Sequence, residues 1–514
     1  MVIKDDALAT LHNLKEQFQN TQISIRSIDL VCEYIAICAE MGRKESPLVE
    51  NFTTAEEMFE ECIQKFPENE KLLLHGVDLY KYLLKLDKRV KILEALIKKG
   101  STNKIIWTAY IISNMYMNKW KQEDYKNFSL KFKNLFPFYK TKDINTINFK
   151  KKKIRVGFIS PDFHSSHSIT YFLTKLISDF RESKFETIAL SLVSKIRHDN
   201  TTKFLKGLFS QWVDLDQISN QDIVSKIQNH DIDILIDLSG LTAGNKIEIF
   251  NTRICPIQIS WLGFNNTIGL KCLDYLIGDN ILVSDDEKNY NEKIIKLPKI
   301  WNAHCGFDFE RKFNDLPKEK NGFLTFGSFN NFMKVNDEQI SSWIEILKSV
   351  PNSKIILKSS LYVCENTIRK KFEENDLIES LEIRKKTKKS GFFEHIQMYK
   401  EIDIALDTFP WTGVTTTFEA LWMNVPVLTR KGFNFNSRCG ESILKNANLI
   451  DFIAEDKADY VNKAIYYSKN IEELKDKRFY LYENILNTPL FDSKNFSSSF
   501  IKKLEEISDN IKYN

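Results

Sequence analysis

Two doubly wound α/β halves in series, behind an all-α region, make up the fold class that the sequence predicts, and three observations carry that prediction. Up to about residue 140, apolar residues recur at three- and four-residue steps and alternating runs are absent, which is the helical habit. Beyond the lysine run at 150–153, β-branched runs alternate with amphipathic ones at the spacing of βαβ units, which build parallel sheets. Around 301–322 that alternation breaks in the polar stretch WNAHCGFDFERKFNDLPKEKNG and then starts again. The boundaries fall at 1–148, 149–315 and 316–514, and 514 residues are more than one ordinary core holds.

The helical region shows its period in AEEMFEECIQKFPENEKLLLHGVDLYKYLLKL, where Met58, Phe59, Cys62 and Phe66 fall on one face before Pro67 stops the helix. A helix pair ending in proline resembles a tetratricopeptide array, and a plain helical bundle fits the degenerate pattern equally well. In the first α/β half KIRVGFISPDF reads as a strand, ITYFLTKLISDF as a helix, FETIALSLV as a strand, QDIVSKIQNH as a helix and IDILIDLSG as a strand, with PIQISWLGF and CLDYLIGD as two further short strands. In the second half GFLTFGSFN, SKIILKSS, LEIRK and IALDTF are strands separated by the helices DEQISSWIEILKSV, CENTIRKKFEEN and FFEHIQMYKEI. A threonine-rich loop then feeds the helix FEALWM and the strand VPVLTR, and the last helix, SSFIKKLEEISDNI, is placed to cross back to the first half. Ligands of such sheets bind outside the carboxyl ends of the strands, so two halves in succession are expected to present a cleft.

Composition narrows the function classes. Hydrophobic residues at 43% and charged residues at 28% describe a globular chain, and 37 Phe predict large side chains in its cores. The 73 basic and 69 acidic residues leave a net charge of +4, which gives no electrostatic reason to expect nucleic acid as a partner. The lysine clusters at 150–153 and 385–389 read as solvated linkers or loops. Eight cysteines without a C-x-x-C pair read as reduced, buried thiols. The start, MVIKDDALAT, lacks an apolar signal core and no run reaches the length of a membrane span, so a cytoplasmic location is expected. Neither GxGxxG nor GxxxxGK[ST] occurs. Asp231-Ile232-Asp233 imitates a metal-holding D-x-D, yet it opens an apolar strand and reads as a strand end, so neither a metal site nor a cofactor is expected. From the Lys-, Asn- and Ile-heavy composition an AT-rich bacterial genome is expected.

The segment DTFPWTGVTTTFEALWMNVPVL, residues 407–428, carries the chemistry. Gly413 permits a tight turn, and Thr415, Thr416 and Thr417 place hydroxyls and amide hydrogens at the start of a helix beginning near Phe418, where the helix dipole favours an anion. A phosphate fits there; a plain threonine cap with no ligand fits the same residues. Glu419, in the first turn, offers a carboxylate to a ribose.

With FGSFNNFMKVNDEQISSWIEILKSVPNSKIILKS and PIQISWLGFNNTIGLKCLDYLIGD, this segment resembles the catalytic region of glycosyltransferase family 41, the protein O-GlcNAc transferases and SPINDLY-type proteins, over residues 150–490. The resemblance implies a GT-B fold, a nucleotide-sugar donor, inversion at the anomeric carbon and no metal. It also implies roles: Lys334 against the donor's phosphates, Asn331 at a donor contact that O-GlcNAc transferases make with glutamine, and His395 stacked on uracil. His167, with His164 beside it in SPDFHSSHSITYF, matches an active-site histidine. His230 in IQNHDIDIL resembles an acceptor-side segment, and reads equally as a histidine favoured by a helix C-terminus. Phe392 stands where the family carries a lysine three residues before the stacking histidine, and Leu241 where many relatives carry histidine or tyrosine.

The expected function is therefore inverting, metal-independent transfer of a sugar, GlcNAc from UDP-GlcNAc first, onto Ser or Thr of an acceptor protein such as a flagellin or surface protein. Fucose from a GDP donor, hexose transfer to Asn, and a non-catalytic helical binding protein are the competing readings.

Overall fold

Helices fill the chain as far as residue 132: Val2–Gln19, Ile25–Arg43, Val49–Lys65, Glu70–Tyr82, Leu86–Lys98, Lys104–Met115 and Gln122–Phe132. Met58, Phe59 and Cys62 are buried on the face that the sequence period assigns them, and their helix ends before Phe66 and Pro67. Asn69 and Asn103 cap the helices that follow them, their side chains accepting from the amides of Leu72 and Ile105. Gly76 lets two helices touch, since a Cβ there would stand 2.4 Å from the Phe59 ring. These helices bury Leu11, Phe18, Val31, Phe52, Phe59 and Leu79 in one core.

The computed structural model describes residues 2–43, 49–142, 153–165, 167–283, 287–359, 362–385 and 392–511. Lys150–Lys152, Lys386, Lys388 and Lys389 of the two lysine clusters lie outside the described residues. The chain forms two units that alternate along the sequence: Met1–Lys119, Asp315–Trp411 and Lys457–Ile471 make the first, and Trp120–Asn314, Thr412–Asp456 and Glu472–Asn514 the second.

In the second unit, β1 (Ile154–Ser160), β2 (Phe185–Ser191), β3 (Gln211–Asp214), β4 (Ile234–Asp237), β5 (Ile257–Ser260), β6 (Tyr275–Asp279) and β7 (Lys293–Leu297) form a sheet in the order β3-β2-β1-β4-β5-β6-β7. Every pairing in it is parallel. Such strands are covered on both faces, which is why Val156, Phe158, Ile159, Ile234, Leu235 and Ile236 are all buried. The helix Ser493–Ile511 crosses back onto this sheet, adding Phe496, Phe500 and Leu504 to the core that holds Leu173 and Leu176 of the helix Ile169–Asp179.

In the first unit, β8 (Thr325–Ser328), β9 (Lys354–Ser359), β10 (Leu381–Lys385) and β11 (Ile404–Leu406) run parallel in the order β10-β9-β8-β11. A last pair, β12 (Val427–Arg430) and β13 (Ile453–Ala454), lies in the second unit. Strand order therefore reverses between β1 and β4 in one sheet and between β8 and β11 in the other, the two places where a doubly wound sheet opens a crevice at its carboxyl edge.

Three strands escape the sequence reading. β3 and β13 are too short, at four and two residues, to show a period, and β7 is masked by a lysine near each end of KIIKL. Asp231 and Asp233 do form a strand end: Asp233 is buried and accepts the Arg155 amide hydrogen (2.9 Å), while Asp231 lies 3.8 Å from the Arg155 guanidinium. Cys32, Cys38, Cys62, Cys255, Cys364 and Cys439 are buried free thiols and Cys272 is half-buried, but Cys305 is exposed, a departure from expectation. Among the described residues no helix is long and apolar enough to cross a membrane.

Candidate active site

The first unit gathers Asn331, Lys334 and His395 at the carboxyl edge of its sheet. Beyond β8 the chain turns through the short helix Phe332–Lys334, where Asn331 is the cap: its side-chain oxygen accepts the Met333 amide hydrogen at 3.0 Å. The Asn331 oxygen is thus committed to shaping the loop, and what the loop presents is Lys334. The Lys334 Nζ stands 5.8 Å from the centroid of the Trp411 ring, within cation–π range. Behind it, the buried Asn330 amide donates to the Asp407 carboxylate beyond β11 (3.4 Å), closing the reversal point.

His395 lies in the helix Phe392–Gln397, half-exposed, with its ring 5.8 Å from Tyr399 and 6.2 Å from Phe329. Lys358, next to last in β9, brings its Nζ to 2.5 Å from His395 Nδ1. An ammonium only donates, so Nδ1 accepts and the ring carries its proton on Nε2.

The second unit holds the other candidates. The helix after the glycine begins at Thr415, three residues earlier than the sequence reading placed it, and runs to Trp422. The three threonines are consequently its first turn, and they divide in role. Thr417 is buried, its amide hydrogen bonds the Val414 carbonyl (3.0 Å) and its hydroxyl donates to the Gly413 carbonyl (3.1 Å), so it closes the turn from within. Thr415 and Thr416 are half-exposed at the helix mouth, where first-turn amides point outward. Glu419 falls in the second turn and is buried; burial of the Tyr171 phenol, with the Glu419 charge as a lesser cause, pushes that phenol up to about 12. Phe418 packs edge-on against Phe172 (5.3 Å), which fixes this helix on Ile169–Asp179. The fully buried His304 is flanked by Tyr171 (5.0 Å) and Phe418 (5.7 Å), and burial pushes its imidazole down to about 3.

His167 sits on the loop between β1 and Ile169–Asp179. Its Nδ1 accepts the Ile169 amide hydrogen (3.4 Å), and its Nε2 lies 3.8 Å from the Asp162 carboxylate. The loop is pinned by Asp199, which accepts the Ser165 amide hydrogen (2.8 Å), and by Thr202, whose hydroxyl donates to the Phe163 carbonyl (2.8 Å). Partial burial and the Arg197 guanidinium hold the His167 imidazole below its ordinary value, and the same causes act on His164. Burial pushes the Asp162 carboxyl up to about 6 and the Asp237 carboxyl, at the end of β4, up to about 7. Asp237 accepts the Ser239 and Gly240 amide hydrogens at 3.2 and 2.7 Å, and Gly240 has φ +54° with no room for a Cβ beside Phe264. His230 does not join this group. It follows the helix Asn220–Asn229 at the amino edge of the sheet, and its Nδ1 bonds the Lys226 carbonyl (2.8 Å) at that helix's C-terminus.

The sequence profile of glycosyl transferase family 41 matches residues 130–318 and 308–500, which together span both sheets. The chain belongs to glycosyltransferase family 41. This family 41 chain is 30% identical over 386 residues to a probable UDP-N-acetylglucosamine–peptide N-acetylglucosaminyltransferase SPINDLY of Arabidopsis thaliana, covering 73% of the chain and 41% of the relative. It is 32% identical over 350 residues to the SPINDLY protein of Hordeum vulgare, covering 66% and 37%. The family 41 chain thus spans about two fifths of the length of these curated relatives. An O-GlcNAc transferase of Thermobaculum terrenum has the same fold, with a TM-score of 0.81 at 20% identity over 98% of each chain. The architecture is the GT-B type with a helical region ahead of it.

Several residues of this family 41 chain were not singled out from sequence. Lys358 sits in the plain strand SKIILKSS, 37 positions from His395, and only the parallel register of β9 reveals their meeting. Asp162 and Asp237 each follow an apolar run as ordinary strand-end carboxylates, and their shared edge depends on β1 pairing with β4. His304 lies in a stretch read as a boundary loop.

Proposed function

We propose that this chain is an inverting protein glycosyltransferase that takes a UDP-sugar, UDP-GlcNAc first, and transfers the sugar to Ser or Thr of an acceptor protein. The observation that carries the reading is the hydrogen bond between Lys358 and His395 beside the carboxyl edge of the sheet that also presents Lys334: two ammonium groups and a half-exposed aromatic ring along one edge are the complement of a nucleoside diphosphate. The names of the SPINDLY relatives, which specify UDP-N-acetylglucosamine and a peptide, favour the same donor and acceptor class.

In this reading the acceptor hydroxyl attacks the anomeric carbon as the bond from that carbon to the β-phosphate oxygen breaks. The electron pair leaves with UDP, whose growing charge falls to Lys334 in the first unit; in the second unit the helix mouth at Thr415 and Thr416 is the candidate for an anion. His395 stacks on the base; in the second unit Glu419 offers a carboxylate to a hydroxyl, and Gly413 shapes the turn. His167, neutral near pH 7, is the candidate to receive the acceptor's proton. No metal takes part.

The test is intact-mass measurement of candidate acceptors after incubation with a panel of nucleotide sugars, together with titration of UDP and GDP. A HexNAc increment from the UDP donor supports the reading, and Lys334→Ala is expected to lower the rate by roughly 100- to 1000-fold with the fold retained. Failure of the chain to bind either nucleotide would return it to the class of helical binding proteins.

A further inference from the structure

The loop that presents Lys334 is fastened to the helical region on several sides. Met333, the residue before it, is buried with Leu86 and Met117, and Tyr116 packs against the same cluster. Two residues after Lys334, the Asn336 amide donates both to the Tyr116 carbonyl (3.1 Å) and to the Phe409 carbonyl (2.9 Å). One side chain therefore ties the lysine loop, the end of the helix Lys104–Met115 and the segment entering Trp411. The Tyr116 ring stacks on Trp411 with centroids 5.0 Å apart and planes 24° from parallel, while the Lys334 ammonium faces Trp411 at 5.8 Å. Trp411 is itself only half-buried, so its orientation depends on what stacks against it.

We propose that Tyr116 is a positioning residue for Lys334: its ring fixes Trp411, and Trp411 in turn holds the ammonium where it meets the donor's diphosphate. The inference rests on the donor reading above and extends it, because it gives the helical region a part in donor chemistry in addition to any hold on an acceptor. The physical need is plain. A lysine side chain has four rotatable bonds, and an ammonium that wanders among their rotamers loses most of its value to a transition state. A flat π-face at a fixed angle limits that arc. An aromatic residue that merely filled space would affect stability alone; one that acts through Lys334 must lose its effect when Lys334 is removed.

The experiment is a double-mutant cycle on the full chain, read by calorimetric titration of UDP. Tyr116→Ala is expected to weaken UDP about fivefold in the wild-type background and to change nothing in the Lys334→Ala background, while Tyr116→Phe, which keeps the stack, restores wild-type affinity. An equal loss in both backgrounds, no loss in either, or a Tyr116→Phe chain as weak as Tyr116→Ala overturns the positioning role. Should Tyr116→Ala unfold, Tyr116→Leu fills the space without a stacking plane and is held to the same outcomes. A wild-type chain that takes up no UDP overturns the donor reading and this inference with it, whereas intact wild-type binding with additive losses overturns the inference alone.

Discussion

The Lys358 ammonium lies 2.5 Å from Nδ1 of His395, so a strand residue and a helix residue 37 positions apart share one hydrogen bond. The bond sets the tautomer and the tilt of a half-exposed ring that sits 6.2 Å from Phe329 and 5.8 Å from Tyr399. Phe392 occupies the position where the family resemblance implies a lysine, and β9 brings an ammonium to the histidine by another route. Lys358→Met keeps the stem and removes the donor. Its expected effect is about a tenfold weaker UDP affinity, the usual worth of one charge-assisted hydrogen bond, with the melting temperature little changed. Unchanged affinity in a calorimetric titration would show the pair to be structural.

His167 should set the acid limb of the rate profile. Burial and Arg197 hold its imidazole below the ordinary value of 6.5, so at neutral pH it is uncharged and able to accept a proton. The limb in kcat/KM is expected below pH 6.5. Arg197→Gln removes one cause of the depression and should move that limb upward, and His167→Gln should cost about 100-fold in kcat and abolish it. A limb unmoved by Arg197→Gln would assign it to another group.

Asp237 makes a stability prediction with a definite sign. Its folded value is raised from 3.8 to about 7 because burial penalises the carboxylate. Between those values the folded chain binds the proton that the unfolded chain has released, so this carboxyl makes stability fall as pH rises from about 4 to 7 and adds nothing further above that. The span corresponds to a penalty on the order of 4 kcal/mol, by the conversion of about 1.4 kcal/mol for each unit. Asp237→Asn keeps an oxygen for one of the two amide hydrogens, Ser239 and Gly240, that the carboxyl takes on separate oxygens, and should flatten that slope in melting curves taken at pH 5, 6 and 7. A slope as steep as in the wild type would place the titration elsewhere.

Both parallel sheets were legible because their strands are covered on two faces and therefore appear as short apolar runs, such as ILI within IDILIDL and IIL within SKIILKS, with helical periods between them. The helix after Gly413 was legible in kind but not in its start, since Thr415 to Thr417 read as a loop when β-branched residues in a first turn are tolerated as well. What escaped was pairing across distance. Neither Lys358 with His395 nor Tyr116 with Trp411 has any mark in the local pattern, because each contact is set by register and docking rather than by spacing. His230 shows the converse: a motif-like N-H-D string drew attention to a residue that the direction of β4 carries to the amino edge of its sheet.

The division among the threonines gives the last prediction. Thr417 spends its hydroxyl on the Gly413 carbonyl inside the turn, and Thr415 stands half-exposed at the helix mouth. Valine is nearly isosteric with threonine, so a substitution tests the hydroxyl alone. Thr417→Val leaves a buried carbonyl without that partner and is expected to cost about 1 kcal/mol of stability, seen as a lower melting temperature, with UDP affinity reduced only as far as the turn loosens. Thr415→Val should leave melting unchanged and weaken UDP several-fold, because a hydroxyl at the mouth has more to do with an anion than with the fold. The opposite pattern, melting sensitive at Thr415 and affinity sensitive at Thr417, would move the phosphate site away from this helix mouth.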